Sequence, residues 1–421
     1  MFPPSPLKWL YVDFNSYFAS VEQQLQPHLR GRPVAVVPVD TDSTCAIAAS
    51  YEAKAFGVKT GTPIWEAKQK CPGLICVLAR HDAYVDFHHR AIDEINRHIP
   101  VTDVCSIDEM AARLMLNEAV ESAARRIALS IKVGLAENLG PWVRCSIGVA
   151  SNRYLAKVAT DLEKPDGLTI LMPGDVEHRL TALALRDLPG IGANMERRLG
   201  ARGLYSVADI WALDRRTMRQ VWGSIWGERM WYLLRGHDLP ELATQRRSIG
   251  HSHVLAPDLR SPQHAILVAR RLTMKACSRL RRMEHCATRF AFSARLEDGR
   301  RIYADAHCRP VQDSKTFLDI LLAFWAVHIP TSAGTQVKKL SVVLYGLVAA
   351  QDVPRDLLAS LTSDGSMGAE KWNRLSHALD RINHRFGRDS ALIGMLPSQG
   401  SSFSGTKIAF TRIPDRQEFL E

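Results

Sequence analysis

The chain has no cysteine pair spaced as CxxC; Cys45, Cys71, Cys76, Cys105, Cys145, Cys277, Cys286 and Cys308 are scattered along it. That scatter argues against a zinc site or a disulfide framework and for reduced, structural thiols. Nor is there an apolar run near the ~20 residues of a membrane-spanning helix; the longest candidate, Ile320 to Ile329, is ended by Pro330. Met1 to Val12 lacks the form of a signal peptide because Asp13 cuts its short apolar run, so a cytoplasmic location and no membrane partner are expected. No repeat of about 20 to 50 residues is visible, which excludes a solenoid. Negative charge is in the minority, 44 Asp+Glu against 54 Lys+Arg, and the net charge of +10 favours a polyanionic partner, nucleic acid ahead of a membrane surface. With 421 residues, 46% of them hydrophobic, the chain exceeds one core and suggests about three domains.

The first ~170 residues alternate strand-like and helix-like patterns, as in an α/β domain. Lys8 to Val12 reads as a strand and Ser16 to Leu25 as a helix carrying Phe18, Val21 and Leu25 on one side, which puts Asp13 where strand gives way to helix. Val104 to Ile107 and Arg144 to Val149 read as further strands. Ser151 to Leu162 reads as a helix stopped by Lys164-Pro165, with a turn at Asp166-Gly167. From Leu171 to about Leu242 come short helices separated by glycines, with Trp211, Trp222, Trp226 and Trp231 among them. A charged linker, Ala243 to Ser248, leads to a second α/β unit: helix Pro262 to Met283, strands Ala287 to Leu296 and Arg301 to His307, helix Ser314 to His328 and strand Lys338 to Leu344. Past Gln351 an amphipathic helix is expected, with Trp372, Leu375, Leu379, Ile382 and Phe386 on one side, then a Gly/Ser-rich stretch (Ser398 to Gly405) and a loosely held tail.

Asp13 at a strand end and the adjacent Asp108-Glu109 after another strand are the residues most able to carry chemistry. Two such strands side by side converge three carboxylates, which repel one another unless a cation lies among them; hard oxygen donors at that density suit Mg²⁺ and phosphoryl transfer. Residue type alone leaves another reading open, in which Asp13 caps the following helix and Asp108-Glu109 sit on a solvated loop.

Four ordered motifs surround these carboxylates. Val12-Asp13-Phe14-Asn15-Ser16-Tyr17-Phe18-Ala19-Ser20-Val21-Glu22, Ser50-Tyr51-Glu52-Ala53-Lys54-Ala55-Phe56-Gly57-Val58, Ser106-Ile107-Asp108-Glu109, and Ser151-Asn152-Arg153 through Lys164-Pro165-Asp166-Gly167 together resemble the motifs of the Y-family (translesion) DNA polymerases. The resemblance is to bacterial polymerases of the IV and V type. It implies an α/β (α+β) multidomain fold, a right hand with a ferredoxin-like palm (residues 1–16 and 81–170), small fingers (17–80), a helix-hairpin-helix thumb (171–242) and a C-terminal little finger (243–350), followed by a C-terminal helix and tail (351–421).

Carried over position by position, the resemblance makes Asp13, Asp108 and Glu109 the catalytic metal ligands, with the Phe14 carbonyl as an additional oxygen, for two Mg²⁺ ions that Mn²⁺ can replace. Tyr51, Lys54 and Lys164 match positions that grip the triphosphate of a deoxynucleotide, although each lysine taken alone is more often a solvated surface residue. Phe18 matches the steric gate that excludes a ribose 2′-hydroxyl; by its spacing it is equally an ordinary core aromatic. Tyr17 beside it faces either the nucleotide or solvent.

Leu188-Pro189-Gly190-Ile191-Gly192-Ala193, followed by Met195 to Leu199, reads as a helix-hairpin-helix whose Gly190, Ile191 and Gly192 bring backbone N–H groups to a DNA phosphate; a simple glycine-rich helix turn is the alternative. From Arg246 to Arg309 there are fourteen basic residues against five acidic ones, an excess that nearly equals the net charge of the whole chain. Arg246, Arg247, Arg289 and Arg295 are candidates for contacts to primer-template DNA in a unit placed like the little finger, while other arginines there are solvated. Gln417 to Leu420, within Arg416 to Glu421, resembles the peptide by which bacterial polymerases of this type dock on a sliding clamp, except that the last hydrophobic position is Glu421; a frayed tail is the alternative. A monomer is expected.

The chain departs from the family pattern in places. Met110-Ala111-Ala112-Arg113 stands where an aromatic, then an apolar and an acidic residue are expected; Ala48 and Ser50 replace Thr and Asn; Lys54 replaces Arg, turning a bidentate grip into a point charge; Asn15 replaces a second Asp. These departures keep open an alternative to an active low-fidelity, damage-bypassing polymerase: an inactive polymerase-like accessory subunit that binds DNA and recruits partners. A helix-hairpin-helix glycosylase or nuclease ranks last, because it leaves the four N-terminal motifs unexplained.

Overall fold

The structure is a computed structural model that describes residues 7–242, 246–330, 334–353, 366–387, 390–394 and 413. The chain forms two compact units that divide between Glu241 and Leu242.

In chain order the first unit comprises β1 (Trp9–Phe14), α1 (Tyr17–Leu25), β2 (Val34–Val37), β3 (Ala48–Ala49), α2 (Tyr51–Lys54), α3 (Ile64–Lys70), β4 (Ile75–Leu78), α4 (His81–Asn96), β5 (Val101–Val104), β6 (Glu109–Arg113), α5 (Glu121–Asn138), β7 (Cys145–Ala150), α6 (Arg153–Leu162) and β8 (Leu168–Ile170). Short helices follow: α7 (Val176–Thr181), α8 (Ala193–Gly200), α9 (Val207–Trp211), α10 (Arg215–Trp222) and α11 (Ile225–Leu234).

Its main sheet has the order β5-β6-β1-β7-β8. β1 lies at the centre, antiparallel to both β6 and β7 and buried along its whole length. Strand side chains alternate between faces, so Leu10, Val12 and Phe14 enter the core shared with α4 and α5, while Trp9 and Tyr11 enter the core shared with α6 and the short helices. By the same alternation Asp13 belongs to the α6 face, and its partner across the ladder is Glu109. A smaller sheet of order β3-β2-β4 carries α2 and α3.

The expected strand Val104 to Ile107 is corrected. Val101–Val104 and Glu109–Arg113 are the two arms of a hairpin, and Cys105 to Asp108 is its turn. The Ser106 Oγ accepts the Asp108 N–H at 3.3 Å and donates to the Asp108 carboxylate at 2.6 Å, local bonds that compete with a continuing ladder.

The second unit runs β9 (Ser248–Val254), α12 (Pro262–Arg282), β10 (His285–Leu296), β11 (Arg301–Val311), α13 (Ser314–His328), β12 (Val337–Ala349) and α14 (Ser366–Phe386). The strands form a sheet of order β11-β10-β12-β9. Phe290, Phe292, Leu340, Val342 and Leu344 pack with Ala265, Ala269 and Leu280 of α12 and Phe317 and Leu321 of α13. β9 was not anticipated; it is an edge strand of Ser, Gly and His in which Ile249 alone is fully buried, so it carries almost no alternating apolar signal. Of the expected charged linker, residues 243–245 lie outside the described residues, as do the Gly/Ser-rich stretch and the tail from 414 on. No helix among the described residues is long and apolar enough to cross a membrane.

Candidate active site

The carboxylates meet on the α6 face of the hairpin formed with β1. Asp13, 4% exposed, stands opposite Glu109 in the β1–β6 ladder, and the Phe14 N–H is bonded to the Asp108 carbonyl at 2.9 Å, which ties the hairpin turn to β1. Asp13 does not cap α1, whose N-cap position is Ser16. Desolvation raises the Asp108 carboxyl above its usual range; the Ser106 bond opposes that, and the charges of Asp13 and Glu109 add to it. The three groups therefore sense one another, and a divalent cation among them relieves the repulsion. Among the described residues no group of three His, Cys, Asp or Glu side chains stands as a ready cage for a metal. Each carboxylate has a protein partner: Asp108 has Ser106, Glu109 accepts from the Tyr11 hydroxyl at 3.1 Å, and Asp13 is held by two lysines. The donor set, carboxylate oxygens with no soft ligand, fits a hard cation such as Mg²⁺.

Lys157 was not singled out from the sequence, and it is central here. Its ammonium is paired with Asp13, with Glu109 at 2.9 Å and with Asp161 at 3.5 Å. Burial pulls its pKa down, yet the three carboxylates outweigh burial and hold it above the usual lysine range. Asn152 makes this placement possible by capping α6: its side chain accepts the Leu155 N–H at 2.7 Å, a bond worth about 1 kcal/mol, and fixes which turn of the helix faces β1. The signal in the sequence was the spacing of Lys157, Asp161 and Lys164 along one side of that helix and its end.

Lys164 reaches Asp13 at 2.7 Å and Asp161 at 2.7 Å, and Asp13 keeps it protonated against the effect of burial. Lys54 lies over the Tyr51 ring at 4.4 Å, and desolvation and the nearby Lys164 lower its pKa. Tyr51, Lys54, Lys164 and Asp13 thus share one electrostatic neighbourhood. Ser50 earns its place at the head of α2, where its Oγ accepts from Ala53 and Val34 N–H groups at 3.3 and 3.0 Å. Asn15 accepts the Asp166 N–H at 2.7 Å and donates to Ser146 at 3.1 Å, which holds the turn after Lys164 against β1.

Phe18 is buried, 7% exposed, and stacks on Tyr84 with ring centroids 4.4 Å apart. Tyr17 turns the other way: its hydroxyl donates to the Tyr84 carbonyl at 2.7 Å and it is 3% exposed. The expectation that Tyr17 faces nucleotide or solvent is therefore corrected, because a phenol with a buried carbonyl acceptor gains nothing by turning outward.

In the helix-hairpin-helix segment, Gly190 adopts φ +91°, a conformation that glycine takes without strain, and Gly192 opens α8 with no heavy atom near a Cβ position. Both are exposed. Ile191 is corrected as a DNA contact: its side chain is buried in the core and its N–H is bonded to the Leu188 carbonyl at 3.0 Å. In the second unit, Arg289 and Arg295 occupy alternate positions of β10 to the buried Phe290, Phe292 and Ala294 and so lie on the sheet face away from α12 and α13. Cross-strand neighbours on that face include Arg301, Tyr303, Lys339 and Tyr345, with the Arg289 guanidinium 5.4 Å from the Tyr345 ring. Arg246 and Arg247 are exposed on the approach to β9, and Arg246 contacts the Met283 sulfur at 3.2 Å.

A central sheet with carboxylates at one end, short helices after it and a separate basic βαββαβ unit define a template-dependent polymerase of the right-hand class. Family models agree: the impB/mucB/samB family matches residues 12–161, the DNA polymerase-iota thumb domain 186–238, and the impB/mucB/samB family C-terminal domain 246–357. The chain is 31% identical over 391 residues to DNA polymerase IV of Pelotomaculum thermopropionicum, covering 91% of this chain and 94% of that one. It is 30% identical over 383 residues to DNA polymerase IV 1 of Bacillus subtilis, 90% of each chain being covered. Among solved structures, a Y-family DNA polymerase chimera of Dbh and Dpo4 superposes with a TM-score of 0.67 at 25% identity, over 81% of this chain and 99% of that one. An insertion ternary complex of Dbh DNA polymerase gives 0.53 over the same shares at the same identity. The chain belongs to the impB/mucB/samB family of Y-family DNA polymerases, and it is a DNA-directed, translesion DNA polymerase whose activity depends on divalent metal.

Proposed function

We propose that Asp13, Asp108 and Glu109, with the Phe14 carbonyl, hold two Mg²⁺ ions, replaceable by Mn²⁺, and that the chain adds deoxynucleotides to a primer 3′-hydroxyl opposite intact and damaged templates. The observation that carries this is the placement of Asp13 opposite Glu109 with Asp108 on the adjoining turn, Lys157 being paired with both Asp13 and Glu109 and Lys164 with Asp13. Asp13, Asp108 and Glu109 would hold the ions, which when bound would supply a lower pKa for the attacking hydroxyl and charge neutralisation for the leaving pyrophosphate. Tyr51 donates a hydrogen bond to the triphosphate, and Lys54 and Lys164 offset its charge. Phe18, backed by Tyr84, closes the space beside the sugar 2′ position and selects deoxynucleotides.

Primer-template DNA is gripped without sequence preference by the exposed glycine N–H groups at Gly190 and Gly192 and by Arg246, Arg247, Arg289 and Arg295 through phosphates. In this reading residues 1–16 and 81–170 act as palm, 17–80 as fingers, 171–242 as thumb and 243–350 as little finger. The protein works as a cytoplasmic monomer, and Gln417 to Leu420, outside the described residues, engages a sliding clamp. Asp13, Asp108, Glu109 and Lys164 all being retained, the accessory-subunit alternative gains no support.

The test is primer extension with Mg²⁺ or Mn²⁺ on intact and abasic templates, comparing the chain with Asp108→Ala/Glu109→Ala. Extension that the double substitution abolishes is expected. A folded, DNA-binding native chain that does not extend either template would overturn the assignment.

A further inference from the structure

α14 is seated on the second unit by its polar side and turns Leu375, Ile382 and Phe386 of its apolar side outward, while Trp372, against Lys315, and Leu379 are half-buried. Asp380 receives a bidentate pair from Arg281 at 2.6 and 2.9 Å, Ser376 accepts the Ser314 N–H at 3.1 Å, and His377 meets Gln312 at 3.5 Å. Arg281 is 6% exposed and Ser376 1%, so this is a desolvated seat whose loss would leave a charge buried and unpaired. That pair fixes the helix rotation. Leu375, Ile382 and Phe386, spaced by seven and four residues, are left 38%, 38% and 68% exposed. Residues at such spacing share one helix face, and an outward stripe of this kind is the reverse of an ordinary surface helix. α14 also lies beyond residues 246–357, which the family C-terminal domain covers.

We propose that this stripe is a docking surface for an acidic amphipathic helix of a partner protein. The charges around it select that occupant. Lys371, Arg374, Arg381 and Arg385 are exposed along the same helix, Glu370 is the one exposed acid among residues 370–386, and Asp380 is consumed by Arg281. Apolar anchors flanked by glutamates or aspartates on the partner would bury the stripe and neutralise the cations, the helix-in-groove mode of recognition. A second copy of the chain is disfavoured, because two basic flanks would face each other and the apolar seam from Trp372 to Phe386 spans only about two heptads, short of the ~3–4 that sustain a coiled coil. Nucleic acid is disfavoured too, since phosphates give nothing to Leu375, Ile382 and Phe386.

The probe is a fluorescein-labelled amphipathic peptide with leucines at heptad a and d positions and glutamates beside them, titrated into the full chain and followed by anisotropy, with a scrambled peptide of the same composition as control. Saturable binding of the ordered peptide is expected, weakened about tenfold or more by Ile382→Ser/Phe386→Ser and separately by Arg374→Glu/Arg381→Glu/Arg385→Glu, with primer extension retained. These positions are exposed, so circular dichroism should match the parent. Equal binding of ordered and scrambled peptides, or by parent and variants, overturns the proposal. So does a dimer in sedimentation velocity that Ile382→Ser dissociates, which assigns the stripe to a second copy, or a fall in primer-template affinity on Ile382→Ser/Phe386→Ser, which assigns it to DNA.

Discussion

Arg113 and Asp238 are paired at 3.1 Å across 125 positions of sequence, and the second oxygen of the same carboxylate accepts the Trp9 indole N–H at 2.9 Å. Asp238 thereby fastens the segment after α11 to two strands of the main sheet. Arg113 stands where the family resemblance leads one to expect an acid, and its partner explains the exchange: it serves the seam between sheet and short helices, at the opposite end of β6 from Glu109. Asn152 reinforces the seam with bonds to the Leu233 and His237 carbonyls at 2.8 and 3.1 Å.

The two substitutions at this seam should separate. Arg113 is half exposed, so Arg113→Ala should cost less than about 1 kcal/mol. Asp238→Ala also leaves the N–H of a buried tryptophan without an acceptor and should cost about 1–3 kcal/mol. Denaturant midpoints followed by tryptophan fluorescence check the order; equal losses would mean that Trp9 is indifferent to Asp238.

Lys157 should behave as a positioning residue for the carboxylates. Lys157→Met removes the ammonium shared by Asp13 and Glu109 and should lower primer-extension kcat about 10–100-fold, the usual scale for losing a group that orients metal ligands. Lys157→Arg should recover part of that loss. Single-turnover extension at saturating nucleotide is the measurement, and a change confined to the nucleotide KM would instead place Lys157 among the triphosphate contacts.

His88 offers a pH signature. It is buried, and its Nδ1–H donates to the Ile107 carbonyl at 2.7 Å, one residue before Asp108. Burial pulls its pKa down to about 4, so the folded state resists protonation that the unfolded chain accepts from pH ~6.5 downward. The unfolded state then binds more protons, and stability must fall as pH drops from about 6.5 to 4, by on the order of 3 kcal/mol from this group. His88→Asn keeps a donor but cannot titrate, so the stability difference between parent and variant should change in that window and be constant above it. Denaturant midpoints measured from pH 8 to 4 decide this.

The stack of Phe18 on Tyr84 gives a test of sugar selection. Phe18→Ala should admit ribonucleotides, and Tyr84→Leu, which removes the ring beneath Phe18, should do so to a smaller degree. Competitive incorporation of ribo- and deoxynucleotides reads the ratio. Unchanged discrimination in Phe18→Ala would remove the gate assignment.

Much of this site was legible because motif residues sit in elements with strong periodic signals. The apolar run read as a strand over Lys8 to Val12 and the helical spacing of Ser151 to Leu162 put Asp13 at the end of β1 and located α6, although β1 itself runs on to Phe14. What the sequence hid was pairing. That Asp108 lies on a hairpin turn, not after a strand, depends on β5 and β6 closing on each other, a non-local fact. Lys157 was missed for the same reason, since its spacing with Asp161 and Lys164 reads as a solvated helix side until the facing strand is known. Tyr17 and Ile191 misled in the opposite sense: neighbours in a motif need not share its surface, and both point into cores that only the packing reveals. α14 was read correctly as amphipathic, yet the periodicity could not say that its polar side is the one that docks, because that is decided by Arg281, about 100 residues away.

The clamp assignment is decided outside the described residues and rests on Gln417 to Leu420 alone. Deleting residues 417–421 removes the glutamine and the apolar pair Phe419-Leu420 but touches none of the carboxylates, lysines or gate residues of the active site. Basal extension should therefore be unchanged, while stimulation by a sliding clamp on primed circular DNA should fall. Glu421 sets a second expectation, because it stands at the final hydrophobic position of the clamp-docking pattern and places a charge where an apolar pocket would receive it. Glu421→Leu should then raise clamp stimulation above that of the parent. Equal stimulation of parent, deletion and Glu421→Leu would show that the tail does not reach the clamp.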